Sequence, residues 1–118
     1  MPLTHQNLEQ KIIDVECAYQ AQAGGASFCQ LQKDGRVTGG AKYEEGRLVA
    51  LHTARRLLRE CPDEPTDTCM TAIAAEQKTW LDALVTLQAK AQSSIPWVAY
   101  RQGGADALAW VLKHLQAS

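Results

Sequence analysis

The chain has 118 residues, 46% hydrophobic and 21% charged, with a formal net charge of -1 at pH 7. That suits one domain with one core, and the near-neutral balance gives no general attraction to nucleic acid or an anionic membrane. No apolar run approaches the roughly 20 residues of a membrane span.

The opening residues, Met1-Pro2-Leu3-Thr4-His5-Gln6-Asn7, lack the basic start and apolar stretch of a signal peptide. The expectation is a cytoplasmic protein without a membrane partner. The four cysteines, Cys17, Cys29, Cys61 and Cys69, include no Cys-x-x-Cys pair. Reduced thiols are the expected state.

The first helix is expected to start near Thr4, a good N-cap. Leu8, Ile12, Val15, Tyr19 and Ala23 recur at steps of three and four, the spacing of one helix face. Gly24 and Gly25 close it. Residues 26–38 allow two readings: a short helix closed by Gly35, or a hairpin turning at Asp34-Gly35. Gly39-Gly40 reads as a break. A second helix over about 41–60 then places Tyr43, Gly46, Ala50, Ala54, Leu57 and Leu58 on one face. Glu44 and Glu45 are assigned to its first turn, and Arg55, Arg56 and Arg59 to its last turns, as the helix dipole favours. Pro62 and Pro65 stop it.

A third helix is expected from Thr66 or Asp67 to about Gln92, with Ile73, Gln77, Trp80, Leu81, Leu84, Leu87 and Ala91 as its stripe. Pro96 suits the first turn of a fourth helix. Gly103-Gly104 would kink that helix or mark its true beginning. Trp80, Trp97, Trp110, Leu84, Leu87, Leu108 and Leu112 are expected to supply much of the core. The fold class is therefore all-α, a four-helix, bundle-like domain covering residues 1–118.

Two runs echo each other. Tyr43 to Leu58 and Tyr100 to Leu115 align Tyr43 with Tyr100, Gly46 with Gly103, Ala50 with Ala107 and Leu51 with Leu108. This suggests two related helix pairs, an internal duplication of residues 4–60 and 67–116. Chance similarity between Ala/Leu-rich helices gives the same matches. Gly46–Ala50 and Gly103–Ala107 are small-x-x-x-small steps that let helix backbones approach closely. A Gly inside a helix costs about 1 kcal/mol relative to Ala, so close packing or a ligand gap should offset it.

Chemical signatures are sparse. Tyr43, His52, Tyr100 and Trp110 are the candidate lining of a ligand pocket between the second and fourth helices. His5, His52 and His114 form no His-Glu-x-x-His pair, and the cysteine spacings miss the zinc patterns. No catalytic residue, metal ligand or cofactor is assigned. Cys61 and Cys69 bracket a proline-containing loop and could form a redox-sensitive disulfide or have no role. Glu44-Glu45 and Gly103-Gly104-Ala105-Asp106 superficially resemble the magnesium-binding motifs of the all-α nucleotide pyrophosphatases. The acid needed one turn before Asp106 is replaced by Gly103, and the acid needed after Glu45 by Leu48 or Val49. The cluster Arg55-Arg56-Arg59 reads as a solvated helix end rather than a nucleic-acid site.

The run Tyr100 to Leu112, Tyr-Arg-Gln-Gly-Gly-Ala-Asp-Ala-Leu-Ala-Trp-Val-Leu, resembles a segment common near the C-termini of small phage and mobile-element proteins. The resemblance covers one helix. It implies an accessory protein of a mobile element, of the integron-cassette kind, and implies no catalytic residues. The expected function is a non-catalytic interaction protein that self-associates as a dimer. The alternative is a small-molecule binder or an enzyme with a pocket between the repeated helices.

Overall fold

The computed structural model describes residues 5–23, 39–60, 67–90 and 95–116. These residues form four helices: α1 (His5–Ala23), α2 (Gly39–Arg59), α3 (Asp67–Gln88) and α4 (Ile95–Gln116). No strand occurs among the described residues, and the fold is all-α and bundle-like. Residues 26–38, read as either a short helix or a hairpin, lie outside the described residues.

The periodic apolar residues explain the packing. Leu8, Ile12 and Val15 bury one stripe of α1. Ala50, Leu51 and Ala54 do so from α2, Ile73, Trp80 and Leu84 from α3, and Ala105, Ala107, Leu108, Val111 and Leu115 from α4. All belong to one hydrophobic cluster except Leu84, which is buried beside it. Removing each large side chain from water contributes about 1.5–3 kcal/mol. The α2–α4 contact is the most extensive; α1 packs on α2, α3 packs on α4, and α2 meets α3 only slightly. The bundle is thus two helix pairs, α1–α2 and α3–α4, docked through their second members.

Several boundaries differ from the sequence reading. Gly39 and Gly40 are the first residues of α2, not a break before it. The first turn of a helix has no intrahelical N–H partners to lose, so Gly is tolerated there. Glu44 and Glu45 consequently lie beyond the first turn, which holds no acid. They pair locally instead, Glu44 with Arg47 and Glu45 with Lys42. Helix α3 ends at Gln88 rather than near Gln92. Its closing turn carries hydrogen bonds from Ala89 N–H to the Val85 carbonyl (3.0 Å) and from Lys90 N–H to the Leu87 carbonyl (3.2 Å). Helix α4 runs through Gly103-Gly104, so these glycines do not begin it.

Two core assignments also change. Trp97 is 48% exposed and Leu81 40% exposed. Trp97 lies in the first turn of α4, at the end of the α3–α4 pair, where fewer neighbours surround a side chain. Leu81 sits at the margin of the α3 stripe. Leu87, Trp110 and Leu112 are only partly buried.

Candidate functional site

The crossing of α2 and α4 is built on two glycines. A Cβ placed on Gly46 would collide with the carbonyl oxygen of Tyr100 and lie 2.9 Å from its carbonyl carbon. A Cβ placed on Gly103 would meet the carbonyl of Tyr43 in the same way, again 2.9 Å from the carbon. The contact is reciprocal: each Tyr-x-x-Gly turn seats its glycine on the other's tyrosine carbonyl. Each glycine therefore turns a hydrogen toward a carbonyl oxygen, the geometry of a weak Cα–H···O contact. Ala50 and Ala107, one turn on, are fully or almost fully buried. Next to Gly103, Gly104 faces the Trp80 ring, which would stand 2.6 Å (Cζ3) from an added Cβ.

The two tyrosine side chains serve different surroundings. The Tyr43 hydroxyl donates to Asp106 Oδ2 at 2.6 Å, and Gln102 Nε2 donates to Asp106 Oδ1 at 2.7 Å. Burial, then this hydrogen bond and the Asp106 charge, push the Tyr43 phenol up from 10.0 to about 12. Tyr43 and Gln102 stand at one end of an open groove of about 420 Å³ lined also by Gln88, Ile95, Val98 and Ala99.

Tyr100 sits among aromatic rings and cations. Its ring lies 5.2 Å from that of Trp80 and 5.5 Å, edge-on, from that of Trp97. The Lys42 ammonium stands 4.0 Å over the Trp97 ring and 5.4 Å over that of Tyr100. Arg101 covers Trp80 and Tyr100 from 5.0 and 5.5 Å. The Lys42 side chain is 5% exposed and faces Glu45 Oε2 at 3.3 Å. That oxygen makes an ion-pair contact without a well-formed hydrogen bond. Ring faces and the Glu45 carboxylate both help to hold a lysine so buried. Burial, followed by the Glu45 charge, raises the Tyr100 phenol's pKa.

The other two pocket candidates lie elsewhere. His52 is exposed, and its Nδ1 accepts from Arg55 Nη2 at 2.8 Å. Arg55 also donates to both carboxylate oxygens of Glu9 at 3.0 and 3.1 Å, tying α2 to α1. Trp110 stacks on His114, with ring centroids 4.2 Å apart, and lines a cleft between α1 and α4. Tyr43, His52, Tyr100 and Trp110 thus occupy four different surroundings. At the level of Gly46 and Gly103, α2 and α4 meet backbone to backbone, leaving no ligand space between them.

No protein-family model, curated protein or solved structure matches this chain.

Among the described residues, no group of three or more His, Cys, Asp or Glu side chains could hold a metal ion. Among the described residues, no helix is long and apolar enough to cross a membrane. Cys17 is a free, exposed thiol, whereas Cys69 is buried and disulfide-bonded. Reduced thiols are the default expectation from the sequence, with a disulfide at Cys69 allowed beside it; spacing alone could not decide, because a Cα pair close enough for a disulfide is a tertiary property.

Sequence reasoning missed the Lys42–Glu45–Trp97–Tyr100 cluster. Its local half, Lys42 three residues before Glu45, is an ordinary helical ion-pair spacing. The aromatic half arrives from α4 and leaves no local signal.

Proposed function

We propose that the protein is a non-catalytic helical interaction module that self-associates through the outer face of the α3–α4 pair. The observation that carries this reading is a run of exposed apolar side chains. Leu81 and Val85 are 40% and 62% exposed, on the face of α3 that also carries Gln88. Gln88 joins Ile95, Val98 and Ala99 in the groove at the start of α4. Ile95 is 76% exposed. Contiguous apolar surface rimmed by polar groups is what a protein contact uses. The rim here includes Gln88, Gln102 and the Lys78–Asp82 pair at 2.7 Å.

A second copy fits this face because the net charge is only -1, so two copies approach without strong repulsion. The resemblance of Tyr100–Leu112 to mobile-element segments supports an accessory role in such an element, and a cytoplasmic setting belongs to the same proposal. The alternative is a small molecule in the 420 Å³ groove. It is the weaker reading: the groove is open, and its polar end is occupied by the mutual bonds of Tyr43, Asp106 and Gln102. Sedimentation of the wild type and of Val85→Asp with Ile95→Asp tests the proposal. A dimer that the double substitution converts to a folded monomer supports it. A wild type that stays monomeric at every concentration overturns it.

A further inference from the structure

The cleft between α1 and α4 differs from the groove at Tyr43 in bringing charged groups of both signs, Lys11 and Asp14, beside an indole, Trp110. It measures about 390 Å³ and is lined by Asn7, Gln10, Lys11, Asp14, Trp110 and His114. That is within the usual range for a small-molecule site.

Each group presents a defined chemistry. The His114 Nδ1 lies 2.8 Å from the Trp110 carbonyl oxygen. A carbonyl only accepts, so Nδ1 carries the hydrogen, and Nε2 is the ring nitrogen left for a ligand. Gln10 Nε2 donates to Asp14 Oδ1 at 2.9 Å, which fixes that carboxylate and leaves Oδ2 available. The Lys11 ammonium stands 4.9 Å over the Trp110 ring, and no carboxylate among the described residues pairs with it. Burial, and then the nearby Arg47 charge, lower its pKa. Arg47 itself is paired with Glu44 at 2.8 Å. Lys11 therefore lines the cleft as a cation with no carboxylate at ion-pair distance among the described residues, between the repulsion of Arg47 and the weaker pull of Asp14 and Glu44. Asp14, also on α1, offers its second carboxylate oxygen, and His114 faces it from α4 across the cleft.

We infer that this cleft binds a small zwitterion of the amino-acid class, its carboxylate on Lys11, its ammonium on Asp14 and His114, and its side chain against Trp110. Both charges of such a ligand meet an available opposite group, and the indole supplies apolar contact. A simple anion would leave Asp14 facing it, and a simple amine would leave Lys11 facing it.

Titration of the full chain with L-leucine, followed by the Trp110 indole N–H resonance, tests the inference. That resonance is assigned with Trp110→Phe. Two matched probes lack one charge each: 4-methylpentanoate lacks the ammonium and isoamylamine lacks the carboxylate. The expected result is a saturable shift with leucine below about 10 mM. Binding of either single-charge probe should be at least tenfold weaker. Lys11→Met keeps the stem and removes the charge, and Asp14→Asn keeps the shape. Each should weaken leucine binding at least tenfold while the circular dichroism spectrum stays unchanged. Should a variant lose its helical spectrum, the two probes on the wild type still decide. The inference is overturned by absence of a leucine shift, by equal binding of 4-methylpentanoate or isoamylamine, or by undiminished leucine binding in folded Lys11→Met.

Discussion

At Gly46 and Gly103 two local effects oppose each other. Helix propensity favours Ala over Gly by about 1 kcal/mol. The crossing leaves no room for a methyl group, because the obstruction is backbone carbonyl rather than a side chain that can swing away. Overpacking of this kind costs about 1–3 kcal/mol or more and outweighs propensity. Gly46→Ala and Gly103→Ala are each expected to lower unfolding free energy by about that amount in urea titration. Gly104→Ala meets the Trp80 ring instead and should lose less. A gain in stability at Gly103 would show that the helices can separate freely there.

The Tyr43–Asp106 bond gives a second test at this scale. The folded phenol is raised from 10.0 to about 12, so the folded state favours the protonated form. The associated stability is fully present below pH 10 and is lost as pH rises from about 10 through about 12. In alkaline unfolding, Tyr43→Phe should flatten the fall in stability across that window. An unchanged pH profile would mean that the bond does not persist in solution. The disulfide at Cys69 is checked by counting thiols in denaturant, where prior reduction should increase the number that react.

The four helices are legible in the sequence because each carries a stripe at helical spacing. Leu8, Ile12 and Val15 illustrate this: the period alone puts them on one face, and that face is buried. The period does not say which flank of a stripe a neighbouring helix will cover. Leu81 therefore lies on the stripe of α3 yet is 40% exposed, and Trp97, apolar enough to suit the core, is 48% exposed. Contacts between distant elements leave still less trace. Tyr43 and Asp106 are 63 residues apart, and nothing near either announces the other. The matching runs around Gly46 and Gly103 are an exception of sorts, since these two glycines, with Tyr43 and Tyr100, meet at the crossing.

Within the elements, Lys42 shows how a helix end is held in place. Its ammonium ties the start of α2 to the start of α4 through Trp97 and Tyr100, while Glu45 on its own helix pairs with it. Losing one partner of a buried pair costs about 3–5 kcal/mol, and the 30% exposure of Glu45 reduces that. Lys42→Ala should cost about 1–3 kcal/mol, partly through the carboxylate left without its cation. Chemical denaturation of Lys42→Ala, Glu45→Gln and the double variant separates the pair from the ring contacts. If the two single losses simply add in the double variant, the pair carries no coupling.

For the whole molecule, α2 and α4 meet at a crossing that both glycines close, and the outer α3–α4 face carries the exposed apolar surface. The centre is therefore structural, and the proposed contact surface lies at the periphery. Leu81, Val85 and Ile95 form a face that a second copy can cover without charge repulsion. Sedimentation equilibrium over a wide concentration range, on the wild type and on Val85→Asp with Ile95→Asp, measures that directly. A concentration-dependent dimer in the wild type and a helical monomer in the double variant are the predicted results. A wild type that remains monomeric throughout, or a double variant that dimerises equally well, would contradict self-association through this face.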